Sequence, residues 1–153
     1  MTKRTGRCMC GNVTYTATLT NQNIGTCYCK MCQRWSAGAF MGVHTQSFEL
    51  TSAPETVTEF KSSDWASRGF CATCGSNIYY HAPQFGGPSV ALGSLDDTSG
   101  LDVNVQLFIE KKPGGFALAN DTKLMTEAEI EAKYGALSSV SYTHLTLPTI
   151  YSV

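Results

Sequence analysis

Seven cysteines fall into three clusters, Cys8-Met9-Cys10, Cys27-Tyr28-Cys29-Lys30-Met31-Cys32 and Cys71-Ala72-Thr73-Cys74. Thiolates at such spacings are soft ligands for zinc. Residues two apart in a strand share a face, so Cys8 and Cys10 can aim both sulfurs at one point. Cys71-x-x-Cys74 followed by Gly75 reads as a zinc knuckle, the glycine permitting the positive φ that such turns need. Together these pairs supply four thiolates, the closed tetrahedral set of a structural zinc. The central cluster offers three thiols within six residues. Three protein ligands with a vacant fourth position is what a catalytic zinc requires. Four and three account for every cysteine. A rival partition puts one zinc between Cys29/Cys32 and Cys71/Cys74 and leaves Cys8, Cys10 and Cys27 free. Its 38 intervening residues exceed the roughly 15–20 usual for such a ribbon. Spacing favours two sites without dictating them.

Other uses of the cysteines fit less well. Buried free cysteines pack as small hydrophobes, but chance rarely places CxC, CxCxxC and CxxC in one short chain. A thioredoxin-like redox centre needs a βαβ context, and no such pattern is present. The odd count forbids complete pairing within one chain. Met1–Arg7 contains no apolar core of a signal peptide, and no apolar run reaches 18 residues. A cytoplasmic location is therefore expected, with no membrane partner, and there clustered thiols serve metals more often than disulfides. Eleven basic and twelve acidic residues give a net charge of -1. Without a basic stripe, nucleic acid is not an expected partner.

The elements that must position these residues read mostly as short strands. Val13–Leu19 alternates apolar and polar residues, and β-rich runs follow at Ala39–His44, Thr56–Lys61, Asn77–His81, Val90–Leu95 and Val103–Glu110. Such spacing, without long helical periods between strands, predicts a mainly β, antiparallel body. Thr126-Glu127-Ala128-Glu129 forms a capping box, predicting one short C-terminal helix that ends before Gly135. The length of 153 residues suits one domain. Residues 136–153 carry no Asp, Glu, Lys or Arg and resemble translated adaptor sequence more than a domain terminus. The domain is therefore placed at 1–135 and the remainder read as a tail outside it.

At its cysteine motifs the sequence resembles the glutathione-dependent formaldehyde-activating enzyme family, which includes centromere protein V-like proteins. The matching stretches are Gly6–Tyr15, Cys27–Arg34, Arg68–Ile78 and Gly93–Asp97. The resemblance implies an Mss4-like fold of curled antiparallel sheets pinned by zinc, with two zinc ions per chain. By position, Cys8, Cys10, Cys71 and Cys74 would hold the structural zinc, and Cys27, Cys29 and Cys32 the exchangeable one. It also implies a carbon–sulfur lyase that interconverts S-hydroxymethylglutathione with glutathione and formaldehyde. The partners would be glutathione or another small thiol, and a small aldehyde. Arg34 and Arg68 are candidate contacts for a glutathione carboxylate, through bidentate hydrogen bonds.

Two departures bear on substrate rather than metal. Tyr28 stands where many members have histidine, and a histidine frequent in the family is missing around Val103–Gln106. Tyr28 is expected to pack beside the zinc, or else to donate to a developing oxyanion. His44 and His81 are read as structural, and Asp96-Asp97 as turn residues. The competing function is a non-catalytic zinc-binding module or glutathione carrier. A large exposed apolar patch would mark a binding module, and a metal site open to small thiols would mark the lyase.

Overall fold

A computed structural model describes residues 1–135; the tail at 136–153 lies outside the described residues. The alternating segment at 13–19 extends as a strand, with Val13, Tyr15, Ala17 and Leu19 buried and the threonines between them half-buried. That burial pattern fixes its register, because a slip of one residue would turn the apolar set to solvent.

Nine strands and two α-helices form among the described residues. They are β1 (Thr2–Arg7), β2 (Thr14–Cys27), α1 (Lys30–Ser36), β3 (Phe40–Leu50), β4 (Val57–Lys61), β5 (Ser67–Cys71), β6 (Asn77–His81), β7 (Ser89–Ala91), β8 (Asp102–Leu107), β9 (Lys123–Met125) and α2 (Glu127–Tyr134). The strands make one sheet in the order β4-β5-β6-β7-β3-β2-β8-β9, with β1 also paired to β2. The core gathers Val13, Tyr15, Leu19, Val43, Ile78 and Val90. No helix among the described residues is long and apolar enough to cross a membrane.

The mainly β expectation holds, and the pairing is mixed rather than purely antiparallel. β1 and β8 lie end to end along one side of β2, β1 antiparallel to Thr14–Leu19 and β8 parallel to Asn23–Cys27. β9 is parallel to β8, reached by the crossover at 108–122. The expected C-terminal helix is α2, with Thr126 and Glu129 capping each other's backbone as the sequence predicts. A second helix, α1, was not expected. It exists because Cys29 serves as its N-cap, its sulfur accepting from the Cys32 N–H at 3.4 Å. The run at Val90–Leu95 is strand only to Ala91 and then tightens into a 3₁₀ turn, Leu92–Ser94. The run at Val103–Glu110 stops at Leu107, where Phe108 takes a left-handed conformation (φ 56°).

Glycine–tyrosine pairs brace the two hairpins that carry the outer cysteines. Gly6 faces Tyr15 across β1–β2, and Gly69 faces Tyr79 across β5–β6. A Cβ at either glycine would lie 2.2 and 2.4 Å from the respective ring. The Phe48 ring bridges both tyrosines, with centroids 5.0 Å from Tyr15 and 5.2 Å from Tyr79. Each braced glycine lies two residues before a cysteine, Cys8 or Cys71.

Candidate metal centre and substrate cavity

The seven cysteines separate in space as four and three. The sulfurs of Cys8, Cys10, Cys71 and Cys74 all lie within 4.8 Å of one another, and so do those of Cys27, Cys29 and Cys32. This excludes the rival partition, since Cys29 and Cys32 are not grouped with Cys71 and Cys74.

The tetrad sits between two turns. Cys8 and Cys10 leave β1 before Gly11 (φ 82°), and Cys71 and Cys74 leave β5 before Gly75 (φ 76°). Cys8 Sγ is 3.5 Å from Cys10 Sγ, which is 3.8 Å from Cys71 Sγ. Zinc–sulfur bonds of about 2.3 Å in tetrahedral array place sulfurs about 3.8 Å apart, so the donor set fits a zinc ion. Backbone N–H groups of Val13, Thr73 and Cys74 donate to the sulfurs of Cys8 and Cys71 at 3.2–3.4 Å, as outer partners of thiolate ligands do. Hydrogen bonding with Ser76 pulls the Cys74 thiol down to about 5. Asn12 Nδ2 donates to Thr73 Oγ1 at 2.9 Å, and the Met9 N–H donates to Ser76 Oγ at 3.1 Å. These contacts stitch one turn to the other.

The triad is built at a strand end. Cys27 closes β2, beside Phe40 of β3 and Leu107 of β8 in register. Cys29 caps α1, and Cys32 lies in its first turn, buried. Hydrogen bonds from the Cys27 and Cys32 thiols draw the Cys29 thiol down to about 2. Cys27 is pushed well up, first by its hydrogen bond to Cys29. For Cys32 the bond with Cys27 lowers the value, but Cys29 and burial outweigh it and raise it to about 11. Hydrogen bonding among the three crowded thiols thus favours the thiolate at Cys29, and a divalent cation would displace protons from the other two. The donor set fits zinc here too.

Arg68 completes this centre. It is 3% exposed, and both its terminal nitrogens donate to Cys32 Sγ at 3.6 Å. Its guanidinium lies over the Trp35 and Tyr80 rings, 4.9 and 5.1 Å from their centroids. Tyr80 is its register partner across β5–β6, so strand alternation sends Arg68 and Tyr80 to the triad while Gly69 and Tyr79 face Phe48.

All three triad cysteines line a cavity of about 630 Å³. Phe40, Trp65, Tyr80, Leu107, Met125 and Ile130 contribute walls, and Lys30, Lys111, Lys123 and Lys133 also line it. The tetrad cysteines do not. Arg68 is in the lining, whereas Arg34 is exposed on the last turn of α1 and outside it. Tyr28 is also outside it, buried at 1% exposure, with its hydroxyl donating to Gln106 Oε1 at 2.7 Å. Gln106 Nε2 in turn donates to Thr122 Oγ1 at 2.7 Å. Tyr28 is thus tied to the Val103–Gln106 stretch rather than to the triad.

His44 lines the cavity with its ring nitrogens engaged, Nδ1 3.4 Å from Ser89 Oγ and Nε2 3.0 Å from the Phe85 carbonyl. His81 Nε2 is 3.2 Å from the Gly86 carbonyl. Asp96 accepts from Thr5 Oγ1 at 2.7 Å, and Asp97 pairs with Arg4, so this acidic dipeptide anchors β1. Sequence reading missed the walls of the cavity. A usable signal was strand alternation at Arg68 and Tyr80, but only once their pairing was known.

Residues 3–111 match the sequence profile of the glutathione-dependent formaldehyde-activating enzyme family. The chain belongs to this family. It is also 26% identical over 126 residues to an uncharacterized lyase of Schizosaccharomyces pombe, covering 82% of this chain and 92% of that protein. A crystal structure of a Rhodobacter sphaeroides protein is similar in fold, with a TM-score of 0.52 and 22% identity, over 64% of this chain and 90% of that one.

Proposed function

We propose that this family member is a zinc-dependent carbon–sulfur lyase that joins glutathione to formaldehyde or a related small aldehyde, reversibly. The observation that carries this reading is the contrast between the two clusters. The tetrad has a full set of four sulfurs, whereas the triad has three and opens onto a cavity. In this reading Cys8, Cys10, Cys71 and Cys74 hold a structural zinc, Cys27, Cys29 and Cys32 hold a second, and the working domain is 1–135.

A zinc ion bound by the triad would supply a lowered pKa to a thiol admitted at its fourth position. The reaction makes one carbon–sulfur bond, and the thiol proton ends on the former carbonyl oxygen; the reverse breaks that bond and returns the proton. Cys27, Cys29 and Cys32 fix the place of the reacting sulfur at the cavity floor. Arg68 offsets the negative charge gathered there and holds Cys32 in place. Burial raises the Tyr80 hydroxyl above its usual range, so it stays protonated at neutral pH and serves as hydrogen-bond donor to the oxygen. The lysines give the carboxylates of glutathione their counter-charges.

Native mass spectrometry of the full chain, with and without glutathione, tests the reading. Two zinc ions, with glutathione adding only while the second is bound, would support it, as would glutathione-dependent turnover of formaldehyde. One zinc and no adduct would overturn it in favour of a zinc-stabilised binding module. Adduct without turnover would leave a glutathione carrier.

A further inference from the structure

The cavity is the wrong size and the wrong chemistry for a one-carbon aldehyde alone. A hydroxymethyl group displaces about as much space as one water, roughly 30 Å³, against about 630 Å³ beside the triad. Glutathione would occupy part of the remainder, but its amides and carboxylates need polar partners.

Few such partners stand near the sulfurs beyond the Tyr80 hydroxyl and the Trp65 indole N–H, which has no hydrogen-bond partner among the described residues. The Arg68 nitrogens are turned to Cys32, and the His44 nitrogens to Ser89 and Phe85. Lys111 is paired with Glu127 at 2.9 Å, while Lys30, Lys123 and Lys133 are exposed. Next to Cys27, the register neighbours on both sides are Phe40 and Leu107. Buried Met125 and Ile130 extend this apolar surface. A peptide laid along that wall would leave amide groups without hydrogen bonds, which is costly. A hydrocarbon group laid there would instead be removed from water.

We infer that the site is shaped for thiol adducts whose carbon substituent is apolar and ring-sized. The substrate class is the adduct of glutathione with an aromatic or branched aliphatic aldehyde, its peptide carboxylates among the exposed lysines and its hydrocarbon group against Phe40, Leu107 and Met125. This rests on the reading of the triad as a glutathione site.

Non-reacting thioethers separate the two ideas. Isothermal titration of the full-length, zinc-loaded protein would compare glutathione, S-methylglutathione and S-benzylglutathione. S-benzylglutathione is expected to bind at least tenfold more tightly than S-methylglutathione. Leu107→Gln, which keeps side-chain bulk but adds polarity, is expected to reduce that ratio to within about threefold; an undiminished ratio in the folded variant would overturn the apolar wall as the source of the preference. Equal affinities of the two thioethers for the unaltered protein would overturn the apolar-substrate inference and leave the glutathione reading standing. Failure of glutathione and both thioethers to bind would overturn the glutathione reading itself. Comparison within the thioether pair needs no variant, so it decides the question even if Leu107→Gln does not fold.

Discussion

Arg68 and Cys32 are joined by two hydrogen bonds, both guanidinium termini reaching one sulfur at 3.6 Å. No carboxylate among the described residues pairs with this buried arginine, so the thiolate cluster is its counter-charge. Three thiolates and a divalent ion carry one net negative charge, which the guanidinium cancels. Outer-shell partners of metal ligands typically contribute 10–100-fold in affinity. Arg68→Gln should therefore weaken zinc at the triad by about that factor and leave the tetrad loaded. Arg68→Lys, with its charge but without the fork, should fall between. Competition with a chromogenic chelator resolves the weaker site from the stronger; equal weakening of both would contradict this role.

The two clusters should differ in what their loss does. Structural zinc contributes about 10–16 kcal/mol in small zinc-binding peptides, comparable to the whole stability of an ordinary domain, about 5–15 kcal/mol. Cys74→Ser is thus expected to lose one zinc and most of the cooperative thermal transition. Cys29→Ser is expected to lose one zinc and all glutathione-dependent activity, with the transition retained. Zinc content and calorimetry on the same samples check this, and matching collapse of both variants would count against it.

Tyr80, which lines the cavity, and Tyr28, which does not, give a second contrast. Tyr28→Phe removes the donor to buried Gln106 Oε1 and should cost about 1–3 kcal/mol of stability, with turnover unchanged within about twofold. Tyr80→Phe removes the proposed hydrogen-bond donor to the oxygen and should lower kcat by about 10²-fold with zinc content intact. Urea denaturation and steady-state rates separate the two. Similar kinetic losses in both would place Tyr28 in the chemistry after all.

The glycines beneath the tyrosine rings are tight. Gly69→Ala would drive a methyl group into the Tyr79 ring, which sits 2.4 Å from that position, and Gly6→Ala would do the same at Tyr15. Each should destabilise by about 1–3 kcal/mol, the usual range for overpacking. The readout is a lower denaturation midpoint at unchanged slope; a midpoint within error of the parent would show that the rings swing aside freely.

The cysteine motifs point to the grouping of the sulfurs, which gather as four and three, although spacing alone leaves a rival grouping open. The capping box at Thr126 and Glu129 was legible because its pattern is local. What joined Arg68 to Cys32 was not legible, since it depends on β5 being folded beside the triad from 36 residues away. Parallel pairing of β8 with β2 was hidden likewise, because hydrophobic alternation reports a face and not a direction. The cavity walls come from β3, β6, β8, β9 and α2, and no local pattern announces such a convergence.

The spacing of the ligands also sets an order of events on the ribosome. The triad is complete within six residues of chain, whereas Cys10 must await Cys71, 61 positions later. At about 5–20 residues per second that wait is roughly 3–12 s. Cys71 and Cys74 then arrive on the β5–β6 hairpin together with Arg68, so one late element both completes the tetrad and brings Cys32 its guanidinium partner.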